Sequence, residues 1–324
     1  MCKSFAIVLL SIGMSFIQVN AQNFPSKPIR IIVPYVGGGA VDGSARVIAV
    51  PMGESMGQPV LIENRPGASS IVGMSACAKA PPDGYTTCMT VADSLSYNPF
   101  LFKNLPYDAD KDFAPVINLA RGNSMLLAKG SATFNTFKEM IAFAKAKPGA
   151  LNWGTWGPAS VPDMYLQWIR HEVGVDIAAV PYKGAGQAVP ALLAGEVDIT
   201  YMTIGAMLPH IKSGKVKSLA VVGGRRSPAL PDVPHLAEEG ADPGLNSYFG
   251  IFAPGGTPKP VVDRLNAEFA KALQTPKVQE YLRTLTLDIV GGSADAFAQF
   301  LRDDRINSGR VFKTMGVKPT DAPS

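Results

Sequence analysis

Short apolar runs that alternate with helix-like patterns constrain the fold of this chain more than any other feature. Residues 28–34 place three isoleucines and a valine between two prolines, which predicts a buried strand. A glycine-rich turn follows, and apolar residues then recur at helical spacing between Asp42 and Met52. Residues 60–62 and 85–91 repeat the strand pattern, with a small-residue helix between them. This alternation is typical of an α/β fold with a largely parallel sheet.

The same alternation starts again after residue 124. Strand patterns at 124–128, 151–153, 177–181 and 197–201 are separated by helical stretches, and a strand at 248–253 leads into a mostly helical C-terminal part. A chain of 324 residues is long enough for two packed cores. The sequence therefore predicts two lobes, one formed by 22–123 plus 246–324 and the other by 124–245. A cleft between two lobes is a common place for a small-molecule site.

The first 21 residues have the pattern of a signal peptide. Lys3 gives a positive start, residues 5–17 are apolar apart from Ser and Gly, and residues 19–21 form a small-x-small cleavage site. The apolar stretch is shorter than the roughly 20 residues that a spanning helix needs. We therefore expect cleavage after Ala21 and a periplasmic protein that begins at Gln22.

Export affects how the cysteines are interpreted. Cys2 leaves with the signal peptide, so the mature chain keeps Cys77 and Cys88. An oxidising compartment permits a disulfide between them, and two separately buried thiols are the alternative. The sequence leaves both possibilities open.

Composition and motifs argue against several functional classes. The formal net charge of +4 is small and no stretch gathers five or six Lys or Arg residues, so a nucleic-acid partner is not expected. The chain has no Gly-x-Ser-x-Gly elbow, no His-Glu-x-x-His pair and no phosphate loop. None of its three histidines has a partner at metal-ligand spacing. We expect no catalysis, no metal and no cofactor.

Three loops that join a strand to a helix indicate binding instead. The first covers residues 35–42, the second residues 155–160 and the third residues 182–188. Their glycines let backbone N–H groups turn inward, and the N-terminus of the following helix adds a partial positive charge. Such loops suit an anion, and a carboxylate can accept charge-assisted hydrogen bonds from them.

A resemblance to a known family becomes specific over several segments. These are residues 25–34 (PSKPIRIIVP), 63–67 (ENRPG), 82–86 (PDGYT), 104–108 (NLPYD), 181–184 (PYKG), 208–212 (LPHIK), 226–234 (RSPALPDVP) and 252–258 (FAPGGTP). The chain resembles the extracytoplasmic receptors of tripartite tricarboxylate transporters, often called the Bug family. The resemblance implies a two-lobed periplasmic-binding-protein type II fold, no catalysis, and ligands such as di- or tricarboxylates, aromatic acids or amino acids. It also implies that the first loop holds a ligand carboxylate, partly through water.

Two departures from the family pattern favour a different ligand from a tricarboxylate. Trp156 stands in a loop that is usually small and polar, and Met202 stands where the family often carries an acid. Both exchange hydrogen-bonding surface for apolar surface, and an aromatic ring could stack on Trp156. Asp163 is awkward for a polyanion; it could accept from a hydroxyl or amino group, or cap its helix. We therefore expect an aromatic or largely apolar acid.

The expected ligand-binding residues fall in the three loops and at two other strand ends. They are Tyr35, Gly38, Gly39, Ala40, Asp42, Ser94, Trp156, Gly157, Ser160, Asp163, Gly184, Ala185, Met202 and Thr203. The predicted function is that of a monomeric receptor that captures a small organic acid for the membrane permease subunits of a tripartite transporter. A periplasmic sensory receptor, or a secreted α/β enzyme acting on a small acid, is the alternative.

Overall fold

The computed structural model describes residues 24–157, 160–182, 184–223 and 226–322. The predicted signal peptide lies outside these residues. No helix in the described ranges is both long and apolar enough to cross a membrane.

Most strands belong to two separate sheets. In chain order the strands are β1 (Ile29–Val33), β2 (Val60–Asn64), β3 (Thr86–Val91), β4 (Phe102–Lys103), β5 (Phe113–Gly122), β6 (Ser124–Lys129), β7 (Asn152–Thr155), β8 (Ala178–Pro181), β9 (Ile199–Thr203), β10 (Val216–Val222), β11 (Tyr248–Pro254), β12 (Leu287–Gly291) and β13 (Thr320–Asp321). The larger sheet has the order β12-β5-β11-β3-β1-β2 and the smaller β10-β6-β9-β7-β8, while β4 pairs with β13.

Helices cover both sheets. They are α1 (Ala40–Met56), α2 (Ile71–Ala78), α3 (Asn98–Leu101), α4 (Phe137–Ala146), α5 (Val161–Val173), α6 (Ala185–Ala194), α7 (Ile204–Lys212), α8 (Lys259–Leu273), α9 (Pro276–Thr284) and α10 (Ala294–Thr314). A π-helical turn, Asp93–Tyr97, closely follows β3, and a 3-10 turn covers Leu236–Glu239. Ordinary capping sets several ends: the Thr136 side chain accepts from Glu139 N, and Gly57 ends α1 in a left-handed conformation.

The sheets give the molecule its two lobes. The larger sheet is built from β1, β2, β3, β5, β11 and β12, and the smaller one from β6 to β10. The chain therefore crosses between the sheets at Asn123 and again between β10 and β11. We call the larger sheet with its helices the first lobe and the smaller one with its helices the second. The boundaries at 123/124 and 245/246 stay a prediction.

Pairing within each sheet is mixed, whereas the sequence predicted a largely parallel arrangement. β1 pairs in parallel with β2 and β3, but β11 is antiparallel to both β3 and β5. In the second lobe β7 is parallel to β8 and β9, and β6 is antiparallel to β9 and β10. Four of the strands in antiparallel pairs, β5, β6, β10 and β11, lie next to the crossings between the lobes, and β12 is also antiparallel to β5.

The ten-residue strand β5 was not predicted. It contains Pro115 and Asn118, which are unfavourable in the middle of a sheet, and most of it is buried on both faces, so its sequence shows no alternation. Pro115 is accommodated where the register with β11 shifts, opposite Phe252. A bulge removes the need for a donor at that position.

Cys77 and Cys88 form a disulfide, which settles the alternative that the sequence left open. Cys77 lies on α2 and Cys88 on β3, and both side chains are fully buried. The bond ties α2 to the strand that leads into the π-helical turn.

Candidate functional site

A cavity of about 510 Å³ lies between the two lobes. The first lobe, the second lobe and both crossings contribute to its wall. The lining residues are Ala40, Val91, Ala92, Asp93, Tyr97, Gly122, Ser124, Trp156, Val161, Tyr165, Tyr201, Thr203, Gly205, Ala206, Leu245, Asn246, Ser247, Phe249, Thr284, Leu285 and Leu287. Asp93 is the only one of these described residues whose side chain carries a formal charge.

Asp93 lines one side of the cavity, and a cluster of hydroxyl groups holds it from behind. We call Tyr35, Thr90, Asp93 and Ser94 the polar wall. The Tyr35 hydroxyl donates to Asp93 Oδ1 at 2.7 Å and lies 3.0 Å from Thr90 Oγ1. Ser94 Oγ donates to the same Asp93 oxygen at 3.1 Å and also lies 2.6 Å from Ser70 Oγ. The wall is therefore a connected network that fixes one carboxylate at the end of β3.

Burial controls the ionisation of this wall. It raises the pKa of Asp93 to about 6, against the lowering effect of the hydrogen bonds from Tyr35 and Ser94. Burial, together with the nearby Asp93 charge, also raises the pKa of Tyr35 well above its ordinary value. At neutral pH the wall thus presents a largely ionised carboxylate held by neutral hydroxyls.

The loop between β1 and α1 is organised by Asp42, which does not line the cavity. Its carboxylate accepts from Gly38 N at 2.8 Å, from Asn64 Nδ2 at 2.9 Å and from Arg46 Nε at 3.0 Å. The Arg46 hydrogen bond holds the pKa of Asp42 down at about 2. Asp42 therefore stabilises the loop from outside the cavity. The Gly38 amide could contact a ligand only if it gave up its hydrogen bond to Asp42.

Ala40 is the residue of this loop that lines the cavity, one position after the N-cap residue Gly39 of the 17-residue helix α1. Gly39 is exposed and has φ −80°, an ordinary backbone conformation. The N–H groups of the first turn of α1 therefore lie beside the cavity, with the positive end of the helix dipole.

Aromatic rings form the opposite side of the cavity, and we call Trp156, Tyr165 and Tyr201 the aromatic wall. The rings of Trp156 and Tyr201 meet edge to face at 6.0 Å, and those of Tyr201 and Tyr165 stack at 5.3 Å. Trp156 Nε1 is buried and has no hydrogen-bond partner among the described residues. This side therefore offers flat apolar surface, and its indole N–H is buried rather than exposed to the cavity.

The other predicted residues of the Trp156 loop shape it from within. Ser160 Oγ donates to Gly157 O at 2.7 Å and accepts from Trp156 N at 3.2 Å. Gly157 has φ +98°, which favours glycine. Asp163, in the first turn of α5, accepts from Gln167 Nε2 at 3.3 Å. None of these three lines the cavity, but the Ser160 and Gly157 contacts fix the loop that carries Trp156.

At the end of β9, Met202 does not lie where the sequence predicted. Alternate residues of a strand point to opposite faces, so Tyr201 and Thr203 line the cavity while Met202 packs into the core of the second lobe with Met125 and Leu127. The apolar character expected from Met202 comes from Tyr201 instead.

The third predicted loop is not part of the cavity wall among the described residues. Gly184 is the N-cap residue of α6 with φ +149°, and Ala185 begins that helix and packs against the second-lobe core. Of the predicted residues, Ala40, Trp156 and Thr203 line the cavity, while Tyr35 and Ser94 contact it through Asp93.

Sequence reasoning missed Asp93 and most of the aromatic wall. Asp93 comes two residues after a buried strand that is parallel to β1, and the carboxyl ends of such strands meet at one edge of a sheet. That signal was available and could have identified it. Tyr165 and Tyr201 carried no such signal, because a tyrosine in an apolar helix or strand is typical of a core.

The two lobes also touch beside the cavity. Gly205 N, at the start of α7, donates to Thr286 Oγ1 at 2.9 Å. A Cβ at Gly205 would lie 3.1 Å from Thr284 O, a tight contact, so the close approach favours glycine. The lobes are thus in contact on one side of the cavity, as expected for a cleft that closes by hinge motion.

Comparison with known proteins identifies the family. Residues 44–317 match the model of the tripartite tricarboxylate transporter family receptor. A UPF0065 protein of Bordetella pertussis is 33% identical over 314 residues, 97% of each chain. Two solved structures from Rhodopseudomonas palustris are similar: Rpa4515 with adipate (31% identity, TM-score 0.78, 92% of this chain and 100% of that one) and MatC with bound malate (32%, 0.74, 89% and 99%).

Members of this family are periplasmic solute-binding receptors, so the enzyme alternative is set aside. The fold, with two lobes around a cavity, agrees with that assignment. The chain belongs to the tripartite tricarboxylate transporter receptors, also known as the Bug family, and is a solute-binding protein rather than an enzyme.

Proposed function

We propose that this receptor captures a small aromatic or largely apolar organic acid in the periplasm and presents it to the permease subunits of a tripartite tricarboxylate-type transporter. The observation that carries the proposal is the aromatic wall of Trp156, Tyr165 and Tyr201 in a cavity between the lobes. Aromatic side chains of this kind recognise a flat apolar body through burial and ring contacts.

The charge of the residues that line the cavity favours a ligand with one carboxylate over a ligand with three. The described lining residues include no Lys, Arg or His, and Asp93 adds a negative charge. Burying a carboxylate without a partner is costly, so each further carboxylate would reduce affinity. One carboxylate can be held by the first-turn amides near Gly39 and Ala40.

Relatives support the general class of ligand. Rpa4515 was solved with adipate and MatC with malate, both small organic acids. A cavity of about 510 Å³ is of a size that suits molecules of this kind. The preference for an aromatic acid rests on the residues of this chain alone.

Isothermal titration calorimetry on the mature protein tests the proposal. We expect a benzoate-type acid to bind with a stoichiometry of about one and more tightly than citrate, since only one charge is accommodated. Tight citrate binding without any response to aromatic acids would overturn the ligand preference.

Gly39→Val tests the position of the carboxylate. A Cβ at Gly39 would meet only Val36 O, at 3.8 Å, so the variant should fold. The branched side chain should block access to the first-turn amides and weaken binding, whereas Gly39→Ala should weaken it less. Unchanged affinity in folded Gly39→Val would count decisively against this loop.

A further inference from the structure

Asp93 is an acidic side chain in a cavity that is proposed to hold an acid. It lines the cavity and is partly exposed there, at the first residue of the π-helical turn after β3. The titratable groups on other elements that interact electrostatically with it are Tyr35, Tyr107 and Tyr248, whose pKa values are all raised by burial and which therefore stay neutral. Among the described residues, no cation is one of the groups that shift its pKa. A ligand carboxylate placed against Asp93 would meet unscreened repulsion.

The hydrogen bonds of Asp93 define what it can still accept. The side-chain donors Tyr35 and Ser94 both reach Oδ1, and neither uses Oδ2. The backbone N–H of Ser94 donates to the same carboxylate, so Asp93 already accepts three hydrogen bonds. An ionised carboxylate is an acceptor only, with room for about four hydrogen bonds over its two oxygens. Its complement in a bound ligand is an O–H or N–H group.

We propose that Asp93 selects ligands that carry an O–H or N–H donor in addition to their carboxylate. This inference rests on the proposed function, because the same cavity holds the ligand. The ligand carboxylate lies away from Asp93, the ring or apolar body contacts Trp156, and the donor group reaches Asp93. A hydroxylated or amino-substituted acid is therefore preferred to a counterpart of the same shape that cannot donate.

The first test compares ligands on the unaltered protein. Calorimetry at pH 7.5 is performed with the 3- and 4-substituted hydroxy-, amino- and methoxybenzoates, because a methoxy group keeps the oxygen but has no proton to donate. We expect the better hydroxy or amino isomer to bind about tenfold or more tightly than its methoxy counterpart. A methoxy ligand has no proton to donate, so the Asp93 carboxylate would lack a hydrogen-bond partner in the complex. Equal affinities would overturn the inference while leaving the proposed function intact.

The second test assigns the preference to Asp93. Asp93→Asn has nearly the same volume but brings an N–H₂ group that can donate to a methoxy oxygen. The ratio of hydroxy to methoxy affinity should fall to within about twofold, and binding of the dicarboxylate adipate should strengthen as the negative charge is removed. The control Asp263→Asn removes an exposed acid paired with Lys259 on α8 and should keep the ratio. A preference that persists in folded Asp93→Asn would show that another residue selects the donor.

A measurement on the unaltered protein keeps the inference testable if Asp93→Asn does not fold. Because burial raises the pKa of Asp93 to about 6, lowering the pH from 7.5 to 5 protonates it and gives it a donor of its own. The hydroxy-to-methoxy ratio should then narrow, and a ratio that stays constant over this range contradicts the role of Asp93. If neither benzoate-type acids nor adipate bind at any pH, the proposed function fails and this inference fails with it.

Discussion

The polar wall and the aromatic wall face the same cavity but are held in place by different forces. Asp93 is fixed by hydrogen bonds from Tyr35 and Ser94 and follows a strand tied to α2 by a disulfide. Trp156 is fixed by ring contacts with Tyr201 and by Ser160 inside its own loop. The first arrangement is directional and responds to pH, whereas the second depends mainly on buried apolar area.

This difference separates two tasks of a receptor. Ring contacts tolerate many flat molecules, because dispersion and apolar burial have little directionality. The fixed carboxylate of Asp93 distinguishes ligands that can donate a hydrogen bond from ligands that cannot. We therefore expect changes on the aromatic side to alter affinity for all aromatic acids together, and changes on the polar side to alter selectivity among them.

The largest expected effect concerns the disulfide, which anchors only the polar side. Replacing both Cys77 and Cys88 by Ala should lower the free energy of unfolding by about 3 kcal/mol, the chain-entropy value for a loop of this length (sequence separation 11). Urea unfolding with and without a reductant measures it, and the reduced wild type should match the double variant. If the reduced wild type and the double variant both keep the stability of the oxidised protein, the disulfide does not stabilise the polar wall.

The fold could be predicted from the sequence where one physical signal dominated. Residues 28–34 form an apolar run between prolines, and residues 85–91 are rich in β-branched residues after a turn; strands were confirmed in both segments. β5 could not be predicted, because Pro115 and Asn118 act against strand formation locally and only pairing on both sides outweighs them. The crossings likewise depend on which sheet a strand joins, which local sequence does not encode.

The site was predicted in part for a similar reason. Ala40 and Trp156 follow strands at glycine-containing loops, a pattern that is visible along the chain. Asp93 and Ser94 are neighbours at the same strand end, and the sequence prediction chose Ser94, whereas Asp93 lines the cavity and Ser94 lies behind it as a hydrogen-bond donor. Tyr201 and Met202 are neighbours of similar burial, and the direction of one strand decides which of them faces a ligand.

The next effect concerns pH and is confined to the polar side. The pKa of Asp93 is raised from 3.8 in the unfolded chain to about 6 in the fold, so the folded state binds this proton more tightly. Its stabilising contribution is therefore fully present below about pH 4 and is lost as the pH rises through 6, by on the order of 2 kcal/mol given its partial exposure.

Asp93→Asn should remove that component. The difference in unfolding free energy between wild type and Asp93→Asn, measured by urea unfolding from pH 4 to pH 7.5, should shift in favour of the variant as the pH rises. Trp156→Phe is the matched control on the aromatic side, since it carries no titrating group. A difference that does not vary with pH would contradict the raised pKa.

A third prediction concerns the affinity contributed by the aromatic side. Trp156→Ala should weaken binding of a benzoate-type acid about tenfold or more, since ring burial and edge contacts exceed about 1.4 kcal/mol. Trp156→Phe should lose less because it keeps a ring. The loss in Trp156→Ala should be similar for hydroxy and methoxy acids, as calorimetry would show. A loss limited to hydroxy acids would mean that the two sides do not divide affinity and selectivity as proposed.

The smallest expected effect compares one hydroxyl from each wall. The Tyr35 hydroxyl donates to Asp93 at 2.7 Å and lies near Thr90 and Ser94, whereas the Tyr165 hydroxyl has a long hydrogen bond to Leu245 O at 3.4 Å. Tyr35→Phe takes a donor from a partly buried carboxylate, and hydrogen bonds to charged groups contribute about 1.5–3 kcal/mol against roughly 0.5–1.5 for neutral ones.

We therefore expect Tyr35→Phe to lower the free energy of unfolding by about 1 kcal/mol more than Tyr165→Phe at pH 7.5, where Asp93 is ionised. The gap should shrink at pH 4.5, because protonated Asp93 no longer needs the donor to compensate a buried charge. Urea unfolding of the two variants at both pH values measures the gap, and each variant keeps its aromatic ring, so packing is matched. Equal losses at pH 7.5 would mean that the hydroxyl network does not hold the charge of Asp93, and that ring packing stabilises both sides of the cavity alike.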